Sequence, residues 1–187
     1  MHLGGHHFSY SVFERRKLQN PEQILQSIGL KGGMCFVDSG CNDGFFTLPA
    51  ARLVGTHGLV IALDIDAEAL NRLKMSLQAE KLHNTQIIHQ AAEDVVACHG
   101  CADIVFLGTV LHDFEDPLRV LQNSRTMLKS NGMIYDYDWI KQDSPLGPPK
   151  AKRFSQEHVE QLAAQAGLKV ISSTVMSENF YAMTLTA

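Results

Sequence analysis

The chain has 187 residues, 45% of them apolar and 19% charged, which is the length and balance of one domain with a core of its own. Sixteen Lys and Arg against twenty Asp and Glu leave a net charge of −4, which excludes a strong basic field for nucleic-acid backbones. No run of 18 apolar residues occurs and the N-terminus lacks the apolar stretch of a signal peptide, so a soluble cytoplasmic protein is expected, with neither membrane nor nucleic acid as partner.

Residues 1–20 form a polar, His-rich leader that could act as a lid, and residues 21–187 read as one domain. Asn20-Pro21-Glu22-Gln23 opens a short helix, with Asn as cap and Pro in the first turn, that Gly29 ends. Met34 to Val37 is a short apolar strand, followed by a glycine-punctuated turn and a helical segment from Phe45 to Val54. Leu59 to Leu63 is a second apolar run, as expected of a strand covered on both faces. After Asp66, a cap, the spacing of Ala67, Leu70, Leu73 and Leu77 lines one face of a helix.

Gln86 to His89 is a weak third strand and Ile104 to Leu107 a strong fourth. Asp116-Pro117 repeats the cap-plus-proline start, Asn131-Gly132 turns the chain, and Met133 to Tyr137 is the fifth strand. Beyond the Ser144 to Pro149 loop, Ser155 caps a helix that Gly167 ends. Leu168 to Val175 and Phe180 to Thr186 then form a hairpin. The expected fold is α/β: a doubly wound, mostly parallel seven-stranded sheet with an antiparallel C-terminal hairpin.

In such a sheet ligands bind beyond the carboxyl ends of the strands, so the turn Asp38-Ser39-Gly40-Cys41-Asn42-Asp43-Gly44 carries most weight. Gly40 and Gly44 allow a sharp turn and a close approach to a ligand, and the next helix presents free N–H groups. Asp64 ends the second strand, where a carboxylate can accept from both hydroxyls of an adenosine ribose while Asp66 caps the helix. The pattern is G-x-N-x-G rather than the G-x-G-x-x-G of dinucleotide sites, with Asp38 and Asp43 placed to repel a pyrophosphate. Asp38 is well placed to receive an ammonium, which favours a cofactor with an amino-acid end.

With these residues the chain resembles the class I S-adenosylmethionine-dependent methyltransferases, and most of all the small-molecule enzymes of the ubiquinone/menaquinone-biosynthesis type. The resemblance runs from about Arg15 to Val170. It is carried by Phe36-Val37-Asp38-Ser39-Gly40-Cys41, Ala62-Leu63-Asp64-Ile65-Asp66, Ala92-Glu93-Asp94, Asp103 to Leu107, Leu111 to Pro117, Leu128 to Gly132 and Asp138-Trp139 through Pro149. It implies S-adenosylmethionine as cofactor, with Asp38 near the methionine amino group, Gly40 and Gly44 along the methionine, Asp64 on the ribose and Ile65 against adenine. Glu93 or Asp94 would lie near the adenine amine, and Ser39, Asn42, Ala92 and Leu107 complete the implied cofactor set. Asn42 stands where the family has its middle glycine, and Ala91 where many members carry an acid.

The implied activity is methyl transfer to a small-molecule acceptor, with His112 at the rim as candidate catalytic base. Two alternatives are a non-catalytic S-adenosylmethionine- or nucleotide-binding module, since the acceptor pocket has no diagnostic residue, and an NAD-linked reductase, against which the G-x-N-x-G turn and its acids at 38 and 43 speak. The remaining conspicuous groups have bland readings. The four cysteines, at 35, 41, 98 and 101, are too few and uneven for a disulfide framework and read as reduced thiols; Cys98-His99-Gly100-Cys101 has metal or redox spacing but no second pair. His2, His6 and His7 read as solvated, so no metal site is expected. Tyr135, Tyr137 and Trp139 are divided evenly between pocket and packing, and Arg15, Arg16 and Lys17 read as surface charges, with a cofactor carboxylate as the lesser alternative for one of them.

Overall fold

The structure, a computed structural model, describes residues 12–187. His2, His6 and His7, with most of the stretch read as a leader, lie outside the described residues. Helix α1 (Val12–Leu18) is followed by α2 (Pro21–Ser27), β1 (Cys35–Ser39), α3 (Thr47–Val54), β2 (Leu59–Asp64), α4 (Ala67–Ala79) and β3 (Thr85–His89). Then come β4 (Ala102–Gly108), a 3-10 turn at Leu111–Asp113, α5 (Pro117–Met127), β5 (Leu128–Trp139), α6 (Gln156–Gln165), β6 (Lys169–Val175) and β7 (Phe180–Thr186).

The caps form as the sequence dictates. Asn20 accepts from Gln23 N–H, Asp66 from the N–H groups of Glu68 and Ala69, Asp116 from Arg119 N–H and Ser155 from His158 N–H. Each satisfies an otherwise orphaned donor and contributes about 1 kcal/mol. The seven strands order as β3-β2-β1-β4-β5-β7-β6. β1 through β5 pair in parallel, and β7 runs antiparallel to both β5 and β6. This is the expected doubly wound sheet with its antiparallel hairpin.

Alternate residues along each central strand feed two different layers. Val37, Ile61, Leu63, Val105 and Leu107 pack against α5 and α6. Phe36, Val60, Ile104 and Phe106 meet α2 and α3 on the opposite face, in a layer rich in rings, and Ala62 meets α4. Tyr135, Tyr137 and Trp139 belong to that aromatic layer: Tyr135 stacks on Phe106 at 6.0 Å, while Tyr137 and Trp139 meet Phe180 at 5.0 and 4.4 Å. All three are therefore packing residues, each contact adding about 0.5–1.5 kcal/mol beyond the area buried.

Two expectations are corrected. The fifth strand begins at Leu128, directly after α5, because Leu128 pairs with Ala102 before a register shift brings Met133 opposite Ile104. Cys98 and Cys101 are not both reduced thiols: they are joined as a disulfide, with Cα atoms 6.0 Å apart, while Cys35 and Cys41 are free. Among the described residues no helix is long and apolar enough to cross a membrane.

Candidate functional site

The turn after β1 is built by backbone geometry. Gly40, Asn42 and Gly44 all have positive φ (81°, 48° and 95°), and the N–H groups of Gly40 and Cys41 both donate to Leu63 O at the end of β2. Asn is the residue that tolerates this region best after Gly, so Asn42 keeps the path of the chain without the middle glycine. The glycines are demanded by the protein itself: a Cβ on Gly40 would lie 2.5 Å from Val110 Cγ2, and one on Gly44 would fall on Leu73 Cδ1.

Asp64 ties the turn to β2. Its Oδ2 accepts from Asn42 N–H at 2.7 Å and its Oδ1 from Asp66 N–H at 2.9 Å. A carboxylate offers about four lone-pair sites. Asp64 is thus oriented by two backbone donors and, being partly exposed, keeps acceptor capacity. Ile65 beside it is 70% exposed, an apolar side chain held at the surface next to that carboxylate.

Asp38 sits deeper, 2% exposed, and receives a hydrogen bond from the Thr47 hydroxyl at 2.6 Å. Burial pushes its carboxyl up to about 7, with Thr47 and Arg15 pulling the other way. A buried acid poised there is a receptor for a cation. Ser39 is buried at the end of the same strand.

Arg15 of α1 completes this side, a placement that the pattern of residues along the chain does not signal. Its guanidinium lies 4.1 Å above the Phe45 ring, donates to the Thr109 hydroxyl at 3.2 Å, and is acted on by Asp43 and Asp38. Thr109 holds φ 59° directly after β4, an uncommon conformation for a β-branched residue. Arg15 is thereby half-buried at the mouth of the turn, in contrast to exposed Arg16, which pairs with Glu22 on α2 at 3.0 Å.

On the far side of the β4 end, His112 is buried. Its Nδ1 lies 2.8 Å from Asp138 Oδ2 and its Nε2 3.5 Å from Asp113 Oδ2; Asp138 Oδ1 accepts from Trp139 N–H at 2.7 Å. Burial alone would lower the imidazole pKa, but Asp138, by charge and hydrogen bond, raises it overall. Lys152 of the Pro/Gly loop reaches Asp113 at 3.7 Å. That loop is organised by Arg153, which is 1% exposed, donates to the carbonyls of Ile140, Gln142, Leu146 and Pro148, and lies 5.3 Å over Trp139.

The other expected cofactor residues fall less centrally. Ala92 and Leu107 are buried, Leu107 completely and within the core that faces α5 and α6. Leu107 therefore presents no surface to the cleft. Glu93 accepts from Glu115 N–H at 3.1 Å, and the carbonyls of Ala92 and Glu93 both receive the Asn123 amide, so this segment is fastened to α5. An open groove of about 580 Å³ lies elsewhere, between α4 and β3, lined by Leu70, Leu77, Leu82 and Ile87 among others. Among the described residues no group of three or more His, Cys, Asp or Glu is arranged to hold a metal ion.

Residues 37–135, just over half of the chain, match a family model described as "Methyltransferase domain". Demethylmenaquinone methyltransferase of Geobacillus stearothermophilus is 26% identical over 119 residues, 64% of this chain and 51% of that protein. The enzyme of the same name from Staphylococcus aureus is 25% identical over 122 residues, 65% of this chain and 49% of that protein. The chain spans about half the length of the curated relatives it matches. Among solved structures, a SAM dependent methyltransferase from Aquifex aeolicus superposes with a TM-score of 0.83 at 23% identity, covering 95% of this chain and 98% of that one. A cyclase also superposes, with a TM-score of 0.77 at 13% identity over 93% of this chain and 82% of that one. Such likeness speaks for the fold alone, and chemistry has to be argued from the site.

Proposed function

The chain belongs to the methyltransferase-domain family, and from that premise we propose that it binds S-adenosylmethionine and transfers its methyl group to a small-molecule acceptor. One observation carries the reading: the turn of Gly40 to Gly44 is locked to Asp64 through Asn42 N–H, which sets a half-exposed carboxylate and the buried carboxyl of Asp38 along one cleft edge. That spacing of acids suits a ligand with ribose hydroxyls at one end and an ammonium at the other, and it repels a pyrophosphate. Exposed Ile65 offers an apolar face to the adenine, and Arg15 a cation to the methionine carboxylate.

When bound, S-adenosylmethionine supplies an electrophilic methyl on its sulfonium. The chain's own residues then position and move protons. Asp38 and Arg15 grip the amino-acid end, and Asp64 the ribose. Holding acceptor and methyl in line can contribute on the order of 7–11 kcal/mol. Asp138 holds the imidazole of His112 through Nδ1, and Nε2, 3.5 Å from Asp113 Oδ2, is the atom that would take a proton from an oxygen or nitrogen acceptor. Helix α1, which brings Arg15 to the turn, covers that side of the site, and the Arg153-held loop closes the acceptor side.

The relatives' names direct the choice of acceptor: an aromatic hydroquinone lacking one ring methyl, of the demethylmenaquinone kind. The test is incubation with methyl-labelled S-adenosylmethionine and a panel of reduced quinones, phenols and small amines, with label followed into product by mass spectrometry. Label in an aromatic acceptor supports the reading. A chain that binds the cofactor tightly yet labels nothing in the panel favours the binding-module alternative.

A further inference from the structure

Three sulfur atoms meet at the end of the sheet opposite the turn. Cys98 and Cys101 are bonded, and the Cys35 Sγ lies 3.7 Å from the Cys101 Sγ. Cys35 opens β1 and Cys101 immediately precedes β4, its parallel neighbour, so the strand pairing itself brings these two side chains together. Four residues of strand separate Cys35 from Ser39, which places the sulfurs about 13 Å from the cofactor turn.

Both partners of this contact are held by their backbones. Asp103 Oδ2 accepts from Cys35 N–H at 2.7 Å and from Lys129 Nζ at 2.7 Å, while Gly100 and Cys101 donate to Thr126 O and Met127 O at 3.2 and 3.0 Å. Cys35, Cys98 and Cys101 are all half-exposed, so reagents dissolved in water can reach the group. Cys41, by contrast, is buried beside the turn.

We propose that Cys35, Cys98 and Cys101 form a thiol–disulfide exchange unit that frees Cys98 as a site of reversible modification by small disulfides. Cys35 gives its proton to solvent and its thiolate attacks Cys101 Sγ. The Cys35–Cys101 bond forms, the Cys98–Cys101 bond breaks, and Cys98 leaves with the electron pair as a thiolate. One disulfide is exchanged for another, so this step consumes no oxidant. The Cys98 thiolate then attacks a small disulfide RSSR, forming Cys98–SR and releasing RS⁻. The attack is directed to Cys101 because that is the sulfur in contact. Burial and the neighbouring Asp103 raise the Cys35 pKa, opposed by Lys129, so little thiolate exists at neutral pH and the exchange speeds up as pH rises.

The experiment uses the full chain carrying the Cys98–Cys101 disulfide, incubated with excess glutathione disulfide at pH 7.5 and 8.5. Samples are quenched in acid, blocked with a maleimide and mapped by tandem mass spectrometry. The expected result is glutathione on Cys98 in molecules that carry a Cys35–Cys101 link, with an initial rate about tenfold higher at the higher pH. Cys35→Ser abolishes the adduct while its melting curve matches the parent, and Cys35→Ala serves if the serine variant is perturbed. Glutathione on Cys35 with Cys98–Cys101 intact, a Cys98 adduct that persists without Cys35, or no adduct at all would each overturn the proposal.

Discussion

The Nδ1 of His112 lies 2.8 Å from Oδ2 of Asp138, and each of these side chains is 2% exposed. One comes from the turn after β4 and the other from β5, so the pair bridges the ends of two neighbouring strands. As base, His112 must be neutral, and Asp138 raises the pH at which it becomes so. Turnover should therefore climb with pH through a value above the ordinary 6.5 of histidine. His112→Ala should lower it about 10²–10⁴-fold with cofactor affinity nearly unchanged, and Asp138→Asn should shift the pH profile toward lower pH. Turnover within a few-fold of the parent, with the profile unmoved, would assign the pair to structure alone.

The same pair makes a stability prediction with a definite sign. A histidine whose folded pKa is raised holds its proton more tightly when folded. Its contribution is fully present below about pH 6.5, the unfolded value, and is lost as pH rises through the higher folded value. Thermal unfolding of the parent and of His112→Gln should differ most below pH 6.5, and the gap should narrow as pH rises through the higher folded value. A gap that widens with pH would show that the pair does not carry this energy.

Burial pushes the Asp38 carboxyl up to about 7, and an ammonium beside it would drive off its proton. Cofactor binding at pH 6.5 should release about three-quarters of a proton, and affinity should weaken as pH falls below 7. Calorimetry in two buffers of different ionisation enthalpy measures that proton directly. Proton uptake would place the ammonium elsewhere.

Asp64 and Asp66 separate binding from folding. Asp64→Ala removes acceptors for the ribose as well as the lock on Asn42, and charge-assisted hydrogen bonds are worth roughly 1.5–3 kcal/mol each, so affinity should fall at least about tenfold. Asp66→Ala should cost about 1 kcal/mol of stability through the cap of α4 and leave affinity nearly unchanged. Affinity lost at 66 and kept at 64 would mean that the strand end is misread.

Much of the fold was legible because the punctuation is strong. The Asn20-Pro21 and Asp116-Pro117 starts, the Gly29 and Gly167 ends and the continuous runs in β1, β2 and β4 all signal locally. What escaped depends on tertiary placement. Arg15 sits in a basic triplet that reads as a solvated face, and only the packing of α1 against the turn brings it inward onto Phe45; an arginine with aromatics beyond the next helix was the faint signal. Tyr135-Asp136-Tyr137-Asp138-Trp139 alternates like a half-exposed strand, yet β7 pairs with β5 and both faces are covered. Asp136 is left wholly buried, with burial and nearby Asp138 raising its pKa. The Cys98–Cys101 bond matches the redox spacing visible in the chain, but its contact with Cys35 depends on which strands neighbour one another, which spacing along the chain does not encode.

Titration calorimetry with S-adenosylhomocysteine and with NAD decides the cofactor assignment, because the two ligands share adenosine and differ in the group attached to it: an amino acid in one, a pyrophosphate in the other. One site is expected to bind S-adenosylhomocysteine at least about a hundredfold tighter than NAD, a difference of roughly 2.7 kcal/mol that Asp64→Ala diminishes. Equal or tighter binding of NAD would contradict the assignment.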